Sequence, residues 1–200
     1  MSRVITLKKR IFVKNIELML KFLKHIGQLI MSPGNGWEDI SHAGDDPKQL
    51  ATTGLYPLFG LAAITAFVQY FYDTDLGLVT LLQHAIIVFV ELFVTYFIAS
   101  VVFASTLQQW IEGEINEKRY TTVITYSLAI IALTTVVKNC SPIEMSLIYF
   151  LYLYVGIVLW KSSRYLAVKE DKMGQFIIMS ISSILVPPFI IGAILSFFIG

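Results

Sequence analysis

An all-α fold is expected: a polytopic integral membrane protein with five transmembrane helices preceded by an amphipathic interfacial helix. Composition points there first. Of the 200 residues, 56% are hydrophobic and 14% charged, and the mean hydropathy is +0.71, whereas soluble domains carry roughly 25% charged residues. The stretch from Gln83 to Gln108 points there next: it is 26 residues of nearly unbroken apolar sequence with one acid, Glu91. A hydrocarbon core takes about 20 helical residues, so this stretch is a span, and the rest of the chain is expected to be arranged around it. The third observation is that lysine and arginine alternate between rich and poor connections, as they do in multi-pass proteins.

Met1 to Arg10 is short and basic through Arg3, Lys8, Lys9 and Arg10. Over residues 12–30 the apolar positions Phe12, Ile16, Met19, Leu20, Leu23, Ile26 and Ile30 recur at helical spacing, opposite Lys14, Glu17, Lys21, Lys24, His25 and Gln28. This is a basic amphipathic helix that lies on the membrane surface or packs on the ends of the other helices. Lys14, Lys21 and Lys24 would meet anionic headgroups, at about 1 kcal/mol each. Residues 31–46 read as a hinge, because Pro33, Gly34 and Gly36 break the helix and Trp37 suits an interface anchor. Ser32 before Pro33, with Glu38 and Asp39 after, also resembles the opening of a short new helix.

The membrane domain, 54–200, follows the cytoplasmic segment 1–53. Residues 54–72 form the first span, in which Thr65 and Gln69 are the strongly polar non-aromatic groups, and an acidic turn with Asp73 and Asp75 leads to the second, 81–107. The polar connection from Gln109 to Arg119 precedes the third span, 120–137, rich in threonine and serine. Lys138 to Pro142 turns the chain into the fourth, 143–160, with Tyr149, Tyr152 and Tyr154. Lys161 to Met173 is basic, and the fifth span, 175–199, is interrupted by Pro187 and Pro188, which predict a kink.

The segments before span one, between two and three, and between four and five hold 8, 2 and 4 basic residues, and the other turns hold Lys138 alone. A cytoplasmic N-terminus and an external or periplasmic C-terminus at Gly200 follow. No charged n-region leads into an apolar run with a small-residue cleavage site in the first 53 residues, so the first span is expected to act as the insertion signal.

At about 1.5 Å per residue, Glu91 falls near mid-membrane, level with Thr65, Tyr126, Ser127, Tyr152, Tyr154 and the Pro187–Pro188 break. His84, Glu91 and Thr95 share one face of span two. An ionised carboxylate at such depth costs at least about 2.5 kcal/mol on insertion scales. Glu91 is therefore either a titratable or cation-binding group in a water-filled site, or a protonated carboxyl that hydrogen-bonds a neighbouring helix and fixes packing.

Other chemistry is excluded. Net charge of +1 argues against a nucleic-acid partner, and Cys140 alone forms no intramolecular disulfide. His25, His42 and His84 lack metal-ligand spacing. There is no zinc-binding histidine pair around a glutamate, no glycine-flanked serine and no phosphate loop ending in lysine, so neither an enzyme nor a cofactor is expected.

The segments LIMSPGNGWEDIS, YPLFGL, RYTTVITYSLAIIAL and YFLYLYVGIVL, set among five spans with a cytoplasmic N-terminus, resemble the Ypt/Rab-interacting-protein (YIP) domain family, in its short prokaryotic form. The resemblance runs over residues 29–199. It implies a five-span bundle in a prokaryotic cytoplasmic (inner) membrane. Eukaryotic relatives bind small GTPases and one another through a role associated with a long cytosolic N-terminal region. This chain carries a short basic amphipathic segment there, so the implication does not extend to small-GTPase binding.

The expected function is that of a non-enzymatic scaffold or membrane-organising partner, docking through its spans and its surface helix onto a second copy or another membrane protein. The alternative is a transporter or channel with Glu91 as its intramembrane group, although five spans do not divide into two inverted halves. Lipid recognition or bilayer shaping through the basic helix is a third reading.

Overall fold

A computed structural model describes the backbone of residues 2–72, 75–141 and 145–199, and the side chains of 13–72, 75–141 and 150–199. The expected roles of the Arg3, Lys8, Lys9, Arg10, Phe12 and Tyr149 side chains, and of Asp73, Pro142 and Gly200, lie outside the described residues. Among those described the architecture is all-helical, with one isolated antiparallel bridge between Ile111 and Val168. Four helical runs are long and apolar enough to cross a bilayer: Pro47–Phe71, Leu78–Gln109, Glu117–Cys140 and Glu170–Ile199. The chain is thus a multi-pass membrane protein.

Helix α1 (Ser2–Met31) buries Phe22, Ile26 and Leu29 against the bundle and leaves Val13, Ile16, Leu20 and Leu23 exposed. Within the expected hinge, 31–46, only Ser32 and residues 44–46 lie outside helices. Ser32 separates α1 from α2 (Pro33–Ala43), which opens on a proline and closes on Gly44 at φ 60°, where the Gly44 N–H donates to the Ile40 carbonyl. Gly36 has a steric reason, since a Cβ there would stand 2.9 Å from the Leu29 backbone nitrogen, so it permits the close crossing of α2 on α1. Trp37 is buried, and its Nε1–H donates to the Val158 carbonyl at 2.9 Å.

The first membrane run begins at α3 (Pro47–Leu50), whose first turn is capped by Asp46, and continues through a π turn (Ala51–Leu55), α4 (Tyr56–Ile64) and a 3₁₀ turn (Thr65–Phe71). The π turn has a local cause in Pro57, which has no N–H to give the Thr53 carbonyl and whose ring crowds it. The widened turn just upstream, where the Tyr56 N–H reaches back to Ala51, accommodates this. Helix α5 (Leu78–Thr106) is the long apolar stretch, and α6 (Glu117–Cys140) is capped by the Asn116 side chain, which accepts from the Lys118 and Arg119 amides.

Helix α6, rather than α5, is the centre of the bundle: 83% of its 18-residue apolar window is buried, against 33% for α5. The more apolar helix is the one facing lipid, and the hydroxyl-rich helix is the one facing protein. Lipid tails give apolar side chains no reason to hide, so small and hydroxyl residues collect at helix contacts. Thr122, Thr134 and Thr135 satisfy themselves by donating to the carbonyls of Lys118, Ile130 and Ile131, at 2.7, 2.9 and 3.1 Å.

Helix α7 (Met145–Tyr165) packs on α2, α6 and α8 (Met173–Ile184), and α9 (Val186–Ile199) lies along α5. Near the expected kink the helical run is interrupted: α8 ends at Ile184, Leu185 intervenes, and buried Pro187 and Pro188 occupy the first turn of α9. The connections after α5 and after α7 are pinned together, with the Glu112 N–H on the Ala167 carbonyl and the Lys169 N–H on the Trp110 carbonyl, both at 2.9 Å. At the opposite end, the Tyr72 hydroxyl donates to the Cys140 carbonyl and Gln83 to Ile199.

Candidate functional site

Glu91 is half-buried on the inner side of α5, in the wall of a cavity of about 250 Å³ near the end that carries Cys140 and Ile199. Helix α5 contributes His84 as well, α6 contributes Thr135, Lys138 and Asn139, the 3₁₀ turn contributes Gln69, α7 contributes Tyr152, and α9 contributes Gly192 and Ser196. The glycine matters sterically, because a Cβ at 192 would stand 2.7 Å from Glu91 Oε2. The carboxylate therefore lies against the α9 backbone, in space that another residue would fill.

Facing it is a polar relay that links four elements. Asn139, 3% exposed, donates from Nδ2 to the Ala62 carbonyl and to Thr65 Oγ1, both at 3.2 Å, and accepts from Gln69 Nε2 at 2.9 Å. Gln69 Oε1 stands 3.4 Å from His84 Nδ1. With the Gln69 amide nitrogen used on Asn139, its oxygen can only accept, so the His84 Nδ1 carries the hydrogen in this contact. Thr65 closes the relay by donating to the Ala62 carbonyl at 2.7 Å.

The expected mid-membrane layer divides into two places. Glu91, His84, Tyr152 and, through the relay, Thr65 gather at the cavity. Thr95 does not line it: fully buried, it donates to the Glu91 backbone carbonyl at 2.5 Å, a local helix bond. Tyr126 and Tyr154 belong to the α1 attachment instead. Tyr126 hydroxyl is 3.0 Å from His25 Nδ1, and the Tyr154 hydroxyl donates to the Ile30 carbonyl at 2.6 Å, capping the end of α1. Ser127 is fully buried with its hydroxyl unpaired among the described residues. Depth alone sets which residues share a level, and helical phase sets which of them meet. Lys138, Asn139 and Gln69 were outside the expectation, although Lys138 was already singled out as the lone cation of its end.

At the other end, Lys21 forms an ion pair with Asp45 at 2.8 Å, while Lys14 and Lys24 stay exposed. Burial, and then the adjacent Lys21, hold the His25 imidazole below its ordinary value of 6.5, against the opposing pull of Asp45 and Asp39. The unfolded or detached segment therefore binds the proton more readily than the docked one. The contribution of His25 to α1 docking is fully present above pH 6.5 and is lost as pH falls toward the depressed folded-state value. Hydrogen exchange of α1, once divided by its intrinsic chemical rate, should rise as pH falls from about 7 to 5, and His25→Gln should remove that excess. Equal excess in both proteins would show that His25 is not the group responsible.

Comparison with protein-family models, with curated proteins and with solved structures returned no match.

Proposed function

We propose that the chain is a non-enzymatic scaffold or membrane-organising protein that docks through α1 and through helix–helix contacts, with a second copy or another membrane protein as partner. The observation that carries this reading is the half-attached α1. One face is clamped by Phe22, Ile26 and Leu29, and the opposite face presents apolar side chains to whatever lies outside, with Leu20 59% and Val13 45% exposed beside Lys14 and Lys24. In this reading α7 is the fifth membrane crossing and α1 rests on the cytoplasmic surface of an inner membrane. The external C-terminus follows from the same alternation, supported by the gathering of the basic connections at one end. The resemblance to YIP-domain proteins accords with it and rests on the sequence segments alone.

Cys140 is the sole cysteine, so a fluorophore placed by Leu20→Cys in a Cys140→Ser background reports on α1 directly. Its emission should shift to the blue in nanodiscs containing anionic lipid. Lys14→Glu with Lys24→Glu should weaken that response about tenfold or more in lipid dependence, at about 1 kcal/mol for each lysine lost and more for its reversal. An unchanged response, together with a strictly monomeric protein that crosslinks to nothing in intact membranes, would leave the scaffold reading without support.

A transporter or channel built on Glu91 is the second reading, favoured by one specific observation: Glu91, His84 and Lys138 line a single cavity. An intramembrane acid gathered with other ionisable side chains is a common arrangement in ion and proton pathways. Proteoliposome flux that Glu91→Gln abolishes would establish it, and flux untouched by Glu91→Gln and by Lys138→Gln would remove the proposed role.

A further inference from the structure

A second cavity, of about 410 Å³, opens at the basic end of the bundle, between the start of α2 and the ends of α6 and α7. Its volume falls within the roughly 300–1,000 Å³ of small-molecule sites. Arg119 enters from the first turns of α6, and Lys161 and Arg164 enter from the last turns of α7. Against these three cations stands one acid, Glu38, with His42 nearby. Two of the cations are positioned by rings: the Arg119 guanidinium stands 5.8 Å from the Tyr165 centroid, and Lys161 Nζ is 4.6 Å from that of Trp160. The lining therefore carries a net positive charge that would attract an anion.

The remaining wall suits the same ligand. Helix α2 begins at Pro33 with no side-chain cap from Ser32, and Gly34 and Asn35, in its first turn, line the cavity. No atom lies within 4 Å of where a Gly34 Cβ would be, so the backbone there can be approached closely. Helix N-termini favour anions through their unpaired amides and dipole, and arginine pairs bidentately with phosphate oxygens. Trp37 and Tyr165, stacked with ring centroids 5.5 Å apart, supply an apolar side wall.

We propose that this cavity binds a phosphate group of a lipid headgroup or of a free phosphate, held by Arg119, Lys161 and Arg164 at the opening of α2. The ligand is a dianion or a larger polyanion, because Glu38 offsets one of the three cations. The site is separate from the exposed lysines of α1 and from the Glu91 cavity, and it stands whichever function those serve.

The test uses the full chain, purified in a neutral maltoside detergent, with tryptophan fluorescence as the readout because Trp37 lines the cavity. Dioctanoyl phosphatidic acid, inorganic phosphate and dioctanoylglycerol are titrated separately. Saturable binding of a phosphate that weakens with added salt is expected, with none for dioctanoylglycerol. Binding of phosphatidic acid alone assigns the site to a headgroup, and equal binding of inorganic phosphate assigns it to a free phosphate. Arg119→Gln with Arg164→Gln should raise Kd by about tenfold or more, as charge-assisted hydrogen bonds imply. Lys48→Gln, at an exposed lysine outside the cavity, should leave Kd unchanged. Should the double arginine variant fail to fold, Lys161→Gln alone carries the test, with Kd expected to rise several-fold. Absence of saturable phosphate binding, equal binding of dioctanoylglycerol, or an unchanged Kd in a folded variant would overturn the assignment.

Discussion

Trp37→Ala is expected to destabilise the protein by about 3–5 kcal/mol, the range for deleting a large buried aromatic, and to free α2 from the bundle. The indole is 3% exposed and is held three ways. Its Nε1–H donates to the Val158 carbonyl, it stacks on Tyr165 at an interplanar angle of 25°, and it meets Tyr126 edge-on at 6.3 Å. These contacts tie α2 to both α6 and α7. Trp37→Phe keeps a ring for stacking and loses the hydrogen bond, so it should cost only about 1–2 kcal/mol. Unfolding in detergent, followed with increasing denaturing surfactant, distinguishes the two. An alanine variant as stable as the phenylalanine one would mean that the ring contacts contribute nothing.

The membrane class was legible because it rests on run length and composition, which local sequence states directly. Glu91 in its long apolar helix, a helix over the basic N-terminal segment and an interruption of the last run near Pro187 and Pro188 appear in the structure, but the face of α1 that is buried is Phe22, His25, Ile26 and Leu29, with Ile16, Leu20, Leu23 and Ile30 exposed. Centrality was not legible. The most hydrophobic stretch suggested itself as the organiser, yet in lipid the apolar surface carries no instruction to be buried, and the threonine-rich α6 took the middle. The serine and threonine content of the third span was the available signal.

Trp37 shows the same limit at one residue. A tryptophan beside glycines at a membrane edge reads as an interface anchor, and only the crossing of α2 over α7 turns it inward to Val158. The candidate site divided for a related reason. Glu91 and Tyr126 sit at comparable depth along their helices, but Tyr126 faces the His25 side of α6 and Asn139 faces the cavity. Separating them required the relative rotation of helices far apart in sequence, for which spacing within one helix holds no information.

Gly54 should be the least replaceable glycine of the first membrane run. A Cβ built there meets three Phe22 ring carbons at 2.5, 2.8 and 2.9 Å, closer than van der Waals contact allows. Phe22 has little room to retreat, being 1% exposed with its ring 5.1 Å from that of Tyr126. Gly54→Ala should therefore cost about 1–3 kcal/mol as an overpacked contact, and Gly54→Leu more. The loss should appear first as detachment of α1, because Phe22 is one of the residues that clamp it. A second substitution separates this from a backbone effect: Phe22→Leu alone should destabilise, but combined with Gly54→Ala it should recover part of the loss, giving a coupling on the order of 1 kcal/mol. Simple additivity of the two changes would show that the close approach of Gly54 to the ring is not what holds α1 in place.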